Sequence, residues 1–435
     1  MSTPSEPTEN PSTDPDENAT TVPRSRILQG GALAVGAATL GGAALTQTLT
    51  ASPASADPGV DPNPRYDRPK VTRLATLTGP DHTTEFGFEA TDLGAAALTP
   101  DGRILLVFGD TFEGAKVGSG AWMAPVALYA DAKRSLKRGL KWTGAVGGKT
   151  ATQLVDYDHG GEISTYLPGD VITIGDTMYL WVMANAGFGN VVRTEIWTST
   201  DSGEHWERTA PEMFAGDHLE GLSQQATWSL DAKGEWVYVL TTGFQRDKGA
   251  ILQRVKPDAV LDPSAYEVYT GFQSTDAAES DAADAKSSSE DWIPAGDAKV
   301  TGDGKEAATA ADASDPAEPT VVVGGAVGEM CLRIVEDKYV LSYFNAGLYR
   351  NDVLIADSPL ALADGPFAET VLWGCNWGHE DGERVAQLYG GYILPGSTLN
   401  DLHLAVSQWH TGPDWPYHVQ QYRIRGLGKG IKAEG

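Results

Sequence analysis

From Val71 onward the chain alternates short apolar runs with polar turn residues. Such runs are Arg103–Phe108, Val171–Ile174, Met178–Met183 and Glu195–Thr198, then Trp236–Leu240, Lys338–Tyr343 and His403–Ser407. Each is bounded by Gly, Pro, Asp or Asn, the residues that turn one strand back on the next. Few stretches carry the 3.6-residue apolar period of a helix. The 50 glycines and 25 prolines reinforce the reading. The pattern predicts an all-β chain of consecutive hairpins, closing as a sandwich, a barrel or a propeller.

One turn discriminates among these. Ser199-Thr-Asp-Ser-Gly203-Glu-His-Trp206 follows the S-x-D-x-G-x-x-W pattern of an Asp-box. In that hairpin the serine and aspartate close the turn on local backbone amides, glycine supplies a positive φ, and tryptophan packs beneath. Asp-boxes recur in propeller blades, and the recurrence of strand clusters along the chain points to five blades, so the expected fold is a five-bladed β-propeller with four strands per blade. Pro100–Arg103 and Asp231–Gly234 read as looser turns in the same role. Between about residues 273 and 318 the pattern breaks: twelve acidic residues stand against three lysines in an Ala/Asp/Ser-rich stretch. It reads as an acidic low-complexity insertion, with Trp292-Ile-Pro294 inside it as a strand of the parent fold.

The N-terminus is a separate matter. Met1–Val22 carries five acidic residues and no basic one, a composition expected to be disordered. Pro23-Arg24-Ser25-Arg26 then opens a Gly/Ala/Leu stretch reaching about Leu49, and Ala54-Ser55-Ala56 has the small-x-small form of a signal-peptidase site. The segment is similar to a twin-arginine export signal, with its arginines split by Ser25. Cleavage after Ala56 would give a secreted or wall-associated chain with no stable membrane partner. The competing reading is an uncleaved anchor, but the Gly/Ala content is weakly hydrophobic. The domain expectation is therefore residues 1–56 as N-region and export signal, and 57–435 as one β-propeller catalytic domain, acting as a monomer.

Charge narrows the partners. A formal charge of −27 leaves no basic stripe for phosphate, which argues against nucleic acid and is compatible with a neutral polysaccharide. Cys331 and Cys375 are the two cysteines. Export would let them pair if they meet, and their spacing is not that of a metal site. Neither a cofactor nor a metal is expected.

Glycoside hydrolysis asks for two carboxyl groups flanking the scissile bond, one to protonate the leaving oxygen and one to activate water or attack carbon. The best candidates are Asp92, in Thr91-Asp92-Leu93-Gly94, and Asp110, in Phe108-Gly109-Asp110-Thr111-Phe112. Asp110 ends an apolar strand, where an aspartate is either a turn cap or a site residue.

These two motifs, with Asp101-Gly102-Arg103 between them, resemble the opening of the actinobacterial five-bladed propeller endo-D-arabinanases. Ser164–Gly169, Ser358-Pro359, Gly365-Pro366-Phe367 and Tyr389–Pro395 follow in the same order. The resemblance spans roughly Val71 to Arg425. It implies that Asp92 and Asp110 are the catalytic pair near the mouth of a central funnel. It also implies endo-acting cleavage of D-arabinofuranosyl linkages in cell-wall arabinogalactan or lipoarabinomannan. Asp110, at the end of an apolar strand, is expected to have the raised pKa and act as the acid, with Asp92 as base or nucleophile. Trp122-Met123 stands where the family pattern has Trp-Arg.

Further residues are expected to bind substrate. They are Trp122, the polar cluster Asp156, Asp158 and His159, then Gln224 with its neighbour Gln225, Glu329 as a third carboxylate, and Asn345. Trp377 and His379 are additional lining candidates. The alternative reading is a non-catalytic propeller that binds cell-wall carbohydrate.

Overall fold

A computed structural model describes residues 68–271, 291–300 and 318–431. The expected export signal and most of the acidic insertion lie outside the described residues. The first strand, β1 (Lys70–Thr76), belongs to a sheet built mainly by the other end of the chain. Blade one follows, with β2 (Ala90–Leu98), β3 (Ile104–Phe112), β4 (Trp122–Met123), β5 (Val126–Ala130) and β6 (Trp142–Ala145). Blade two holds β7 (Thr165–Ile174), β8 (Thr177–Asn185), β9 (Val191–Ser199) and β10 (Glu207–Ala215).

Blade three holds β11 (Gln225–Leu230), β12 (Val237–Thr242), β13 (Ala250–Val255), β14 (Glu267–Tyr269), β15 (Trp292–Pro294) and β16 (Val321–Val323). Blade four holds β17 (Val327–Val335), β18 (Lys338–Asn345), β19 (Arg350–Ala356), β20 (Phe367–Cys375) and β21 (Arg384–Ala386). Blade five holds β22 (Leu388–Ile393), β23 (Asp401–Trp409) and β24 (Tyr417–Arg425), and β1 completes it antiparallel to β24, Lys70 opposite Arg425. The fold is a five-bladed β-propeller closed by pairing its two ends. The expectation of four strands per blade is corrected for blades one, three and four, which carry short additional strands. Trp292–Pro294 is a strand of the fold, pairing with β14.

The inner strands β2, β7, β11, β17 and β22 pack around the axis and run in one direction. Covered on both faces, they lose strict alternation: in β2 every residue but Asp92 and Leu98 is buried. The Asp-box joins β9 to β10 as its sequence dictates. Ser199 Oγ donates to Asp201 Oδ1 at 2.8 Å, Asp201 accepts the His205 N–H at 2.9 Å, and Gly203 takes φ +89°.

The axis is closed by an ion pair. Arg333 of β17 donates through both terminal nitrogens to Asp170 of β7, at 2.7 and 2.6 Å. Thr227 of β11 donates to the same carboxylate at 2.7 Å. Cys331 and Cys375 are both buried and do not form a disulfide with each other. They lie on β17 and β20 of one sheet with two strands between them, a lateral offset alone of roughly 14 Å, which no disulfide spans.

Candidate active site

The site begins as an irregularity between β2 and β3. Thr91 pairs with Thr111, but Leu93 pairs with Phe108 and Ala95 with Val107. Gly109 and Asp110 therefore share the single partner Asp92, while Gly94 is an extra residue on β2. The backbone turns through left-handed conformations at Leu93 (φ +64°) and Gly94 (φ +113°). For a leucine this costs on the order of 1 kcal/mol. Ser407 of β23 holds the turn by accepting the Leu93 N–H at 2.8 Å. The double bulge turns both aspartates toward the end of the axis where the inner strands start. Asp92 Oδ1 lies so close to Gly109 that a Cβ there would stand 2.5 Å from it.

The two carboxyl groups have different partners. Asp110 Oδ1 accepts the Trp122 indole N–H at 3.0 Å and the Thr165 hydroxyl at 2.6 Å. Burial raises its pKa; these two donors and nearby His159 act in the opposite direction. Asp92 Oδ2 accepts the Tyr389 hydroxyl at 2.9 Å, and the Tyr417 hydroxyl also approaches this carboxyl group. Its Oδ1 is buried with no hydrogen-bond partner among the described residues. Burial, then the charge of Asp110 and the more distant charge of Glu329, push Asp92 up to about 7. The sequence placed the proton on Asp110; in the structure burial pushes both carboxyl groups up, and Asp92 is the one with an oxygen that lacks a hydrogen-bond partner among the described residues.

The other candidates divide. Glu329 lies within electrostatic reach of Asp92: it is buried, pairs with Arg246, and accepts the Gly390 N–H at 3.3 Å. Trp122 and His159 are brought to Asp110 but have no open ring face between them. Trp122 is stacked between Phe112 and His159, at 6.1 and 4.0 Å between ring centres. The His159 ring nitrogens meet the Ser164 carbonyl at 2.7 Å and Gln153 Oε1 at 2.6 Å. Trp122 thus donates to Asp110, and His159 packs on Trp122 with both ring nitrogens engaged.

Gln224 is not available to a sugar either. Its amide donates to the Gly216 carbonyl at 2.7 Å and accepts the Phe244 N–H at 2.9 Å. Its neighbour Gln225 opens β11 with Oε1 buried and unpartnered among the described residues. Asn345 donates to Asp352 at 2.9 Å, one strand out from the axis. Asp156 and Asp158 are exposed, and Asp158 closes its own loop by accepting the Gly160 N–H at 2.9 Å. Trp377 stacks on His410 with ring centres 4.1 Å apart, while His379 is exposed. Among the described residues no three His, Cys, Asp or Glu side chains are grouped to hold a metal ion.

Sequence reasoning missed Thr165, Tyr389, Tyr417, Tyr157 and Arg246. Thr165 and Tyr389 lie inside the Ser164–Gly169 and Tyr389–Pro395 motifs, and each starts or nearly starts an inner strand. That position was the available signal. Tyr157 packs on His159 and Tyr166 at 4.6 and 4.7 Å between ring centres, with its own pKa raised by burial and then by Asp110.

The comparisons with known proteins extend over the same region. A 35.9 kDa protein in the asd 3′ region of Mycolicibacterium smegmatis is 28% identical over 362 residues, covering 79% of this chain and 95% of that protein. The notoamide biosynthesis cluster protein J′ of Aspergillus versicolor is 26% identical over 364 residues, 78% of this chain and 86% of that one. Among solved structures, a proposed hydrolase from Bacteroides ovatus superposes with a TM-score of 0.51 at 13% identity, covering 86% of this chain and 95% of that one; at this identity the likeness concerns fold alone. Residues 78–292 and 307–423 match a domain of unknown function, DUF4185, and the chain belongs to that family.

Proposed function

We propose that this protein is a glycoside hydrolase that cleaves D-arabinofuranosyl linkages within cell-wall arabinan. The observation that carries the reading is the pair of carboxyl groups, Asp92 and Asp110, brought to one end of the axis by a double bulge and given unequal surroundings. A carboxyl group pushed up to about 7 keeps its proton in about half of the molecules at neutral pH and suits the general acid. Asp92 takes that role. Asp110, with two donors on Oδ1, suits the carboxylate that activates water or attacks the anomeric carbon. The tyrosine hydroxyls of Tyr389 and Tyr417 orient Asp92, and Thr165 with Trp122 orients Asp110.

The substrate class rests on the resemblance carried by Thr91–Gly94 and Phe108–Phe112. A neutral furanoside also suits a site whose carboxylates would repel an anionic sugar. The same reading includes export, with release of a mature chain after Ala56.

The test is incubation of the mature protein with arabinogalactan, products being separated by chromatography. Asp92→Asn and Asp110→Asn should each lower turnover at least 100-fold, the scale of a lost acid or base. Short arabino-oligosaccharides from the wild type alone are the expected result. Binding without products from any of the three proteins would instead favour a carbohydrate-binding propeller.

A further inference from the structure

Arg246 lies in the turn between β12 and β13 with a left-handed φ of +59°. Its side chain reaches from blade three toward blades four and five. Nε donates to Glu329 Oε1 at 3.1 Å, and Nη2 donates to the same oxygen. The cation stands 5.5 Å from the ring centre of Phe344 and 5.2 Å from that of Tyr389. Gly328 leaves room for this arrangement, since a Cβ there would meet Phe344 Cδ1 at 2.9 Å and Arg246 Cγ at 3.3 Å.

The pair continues directly into the carboxylates. Glu329 Oε2 accepts the Gly390 N–H, and Tyr389, one residue earlier, donates to Asp92. The Asp92 charge is also felt at Arg246. Two guanidinium nitrogens are thus fixed, but among the described residues no protein oxygen accepts from Nη1, and the side chain keeps 20% of its surface exposed. A guanidinium held by two nitrogens and two aromatic rings is pre-organised to bind through the third.

We propose that Arg246 is a substrate-binding residue of this site: Nη1 donates to an oxygen of the furanose seated over Asp92, and Glu329 is the positioning residue that fixes the guanidinium. The inference rests on the glycosidase reading above. It adds a cationic donor to a site otherwise lined by acceptors and hydroxyls, and so a recognition element for the neutral, hydroxyl-bearing ring. The groups facing Asp92 are Asp110 from β3, Glu329 from β17, Tyr389 from β22, Tyr417 from β24 and Arg246 from the β12–β13 turn. Replacing Glu329 by glutamine removes one negative charge from this set, so Asp92 should lose its proton at lower pH.

The experiment is steady-state kinetics on D-arabinan from pH 4 to 9 for the wild type, Arg246→Met, Arg246→Lys and Glu329→Gln. Arg246→Met should raise KM about tenfold or more, the worth of one charge-assisted hydrogen bond. Arg246→Lys should recover part of the loss, because an ammonium donates but cannot keep both Glu329 contacts. Glu329→Gln should move the alkaline limb of kcat/KM to lower pH, which a merely structural role would not do. Wild-type KM in Arg246→Met, or an unmoved pH profile in Glu329→Gln, overturns the proposal. A wild type that leaves arabinan intact refutes the hydrolase reading instead. Calorimetric binding of an arabino-oligosaccharide then decides on Arg246: about tenfold weaker binding by Arg246→Met supports it, and equal binding, or none by any protein, overturns it.

Discussion

Asp92 and Asp110 are the same residue type on neighbouring strands, and their neighbours give them different work. Burial raises both. Asp110 recovers hydrogen bonds from Trp122 and Thr165 on one oxygen, whereas Asp92 has one oxygen with no partner and two acidic neighbours. The sequence located both residues, because an aspartate that ends or interrupts an apolar strand needs a reason to be there. It could not rank them, because the rank depends on Thr165, Tyr389 and Tyr417, which arrive from other blades. A stability consequence follows. An ordinary aspartate titrates near 3.9 when unfolded, and Asp92 near 7 when folded. Its stability contribution is therefore complete below about pH 4 and is lost as pH rises through about 7. Asp92→Asn removes that loss. Chemical denaturation should find the variant about 2–4 kcal/mol more stable than wild type at pH 8 and nearly equal at pH 4. Equal stability at both would mean that Asp92 is not held protonated.

At the scale of the element, the site is a defect in an otherwise regular hairpin. The apolar run before Asp110 and the turn at Asp101-Gly102 announced β3 and its connection to β2, and the Asp-box announced β9 and β10. The register was not legible. Nothing in the apolar pattern says that Gly94 is extra on one strand or that Gly109 and Asp110 share a partner on the other. Loop partners were equally hidden: Asn345, Gln224 and Asp158 read as free polar groups, and each is taken up by a neighbouring carboxylate or backbone group. Gly109 tests the bulge directly. It does not occupy the left-handed region, so alanine is allowed by its backbone, and the effect is the contact itself. A Cβ 2.5 Å from Asp92 Oδ1 and 3.0 Å from Leu93 Cδ1 must displace the carboxyl group. Gly109→Ala should cost about 1–3 kcal/mol of stability. Arabinan turnover should fall roughly 100-fold, as for an ångström-scale misplacement. Wild-type turnover in this variant would show that Asp92 need not sit against Gly109.

Across the whole molecule, five sheets converge on an axis, and Arg333 crosses it. Its two terminal nitrogens grip Asp170 of blade two. They also donate to Ala96 O of blade one at 2.9 Å, Val171 O at 3.3 Å, Trp228 O of blade three at 3.4 Å and Leu332 O of its own blade at 2.7 Å. One guanidinium thus ties four blades together. Removing it strands a fully buried carboxylate that keeps Thr227 and the Val171 N–H as donors. Arg333→Met should therefore cost about 3–5 kcal/mol. The paired change Asp170→Leu with Arg333→Met removes the stranded charge and should lose less, because much of the single-variant cost is an uncompensated ion and not the worth of the bridge. Urea denaturation of wild type, both single variants and the double variant measures this cycle. If the double variant is as unstable as Arg333→Met, the tie acts through the four carbonyls. If it recovers, the cost of Arg333→Met is the stranded Asp170 carboxylate, and neither the bridge nor the carbonyl contacts carry much net stability.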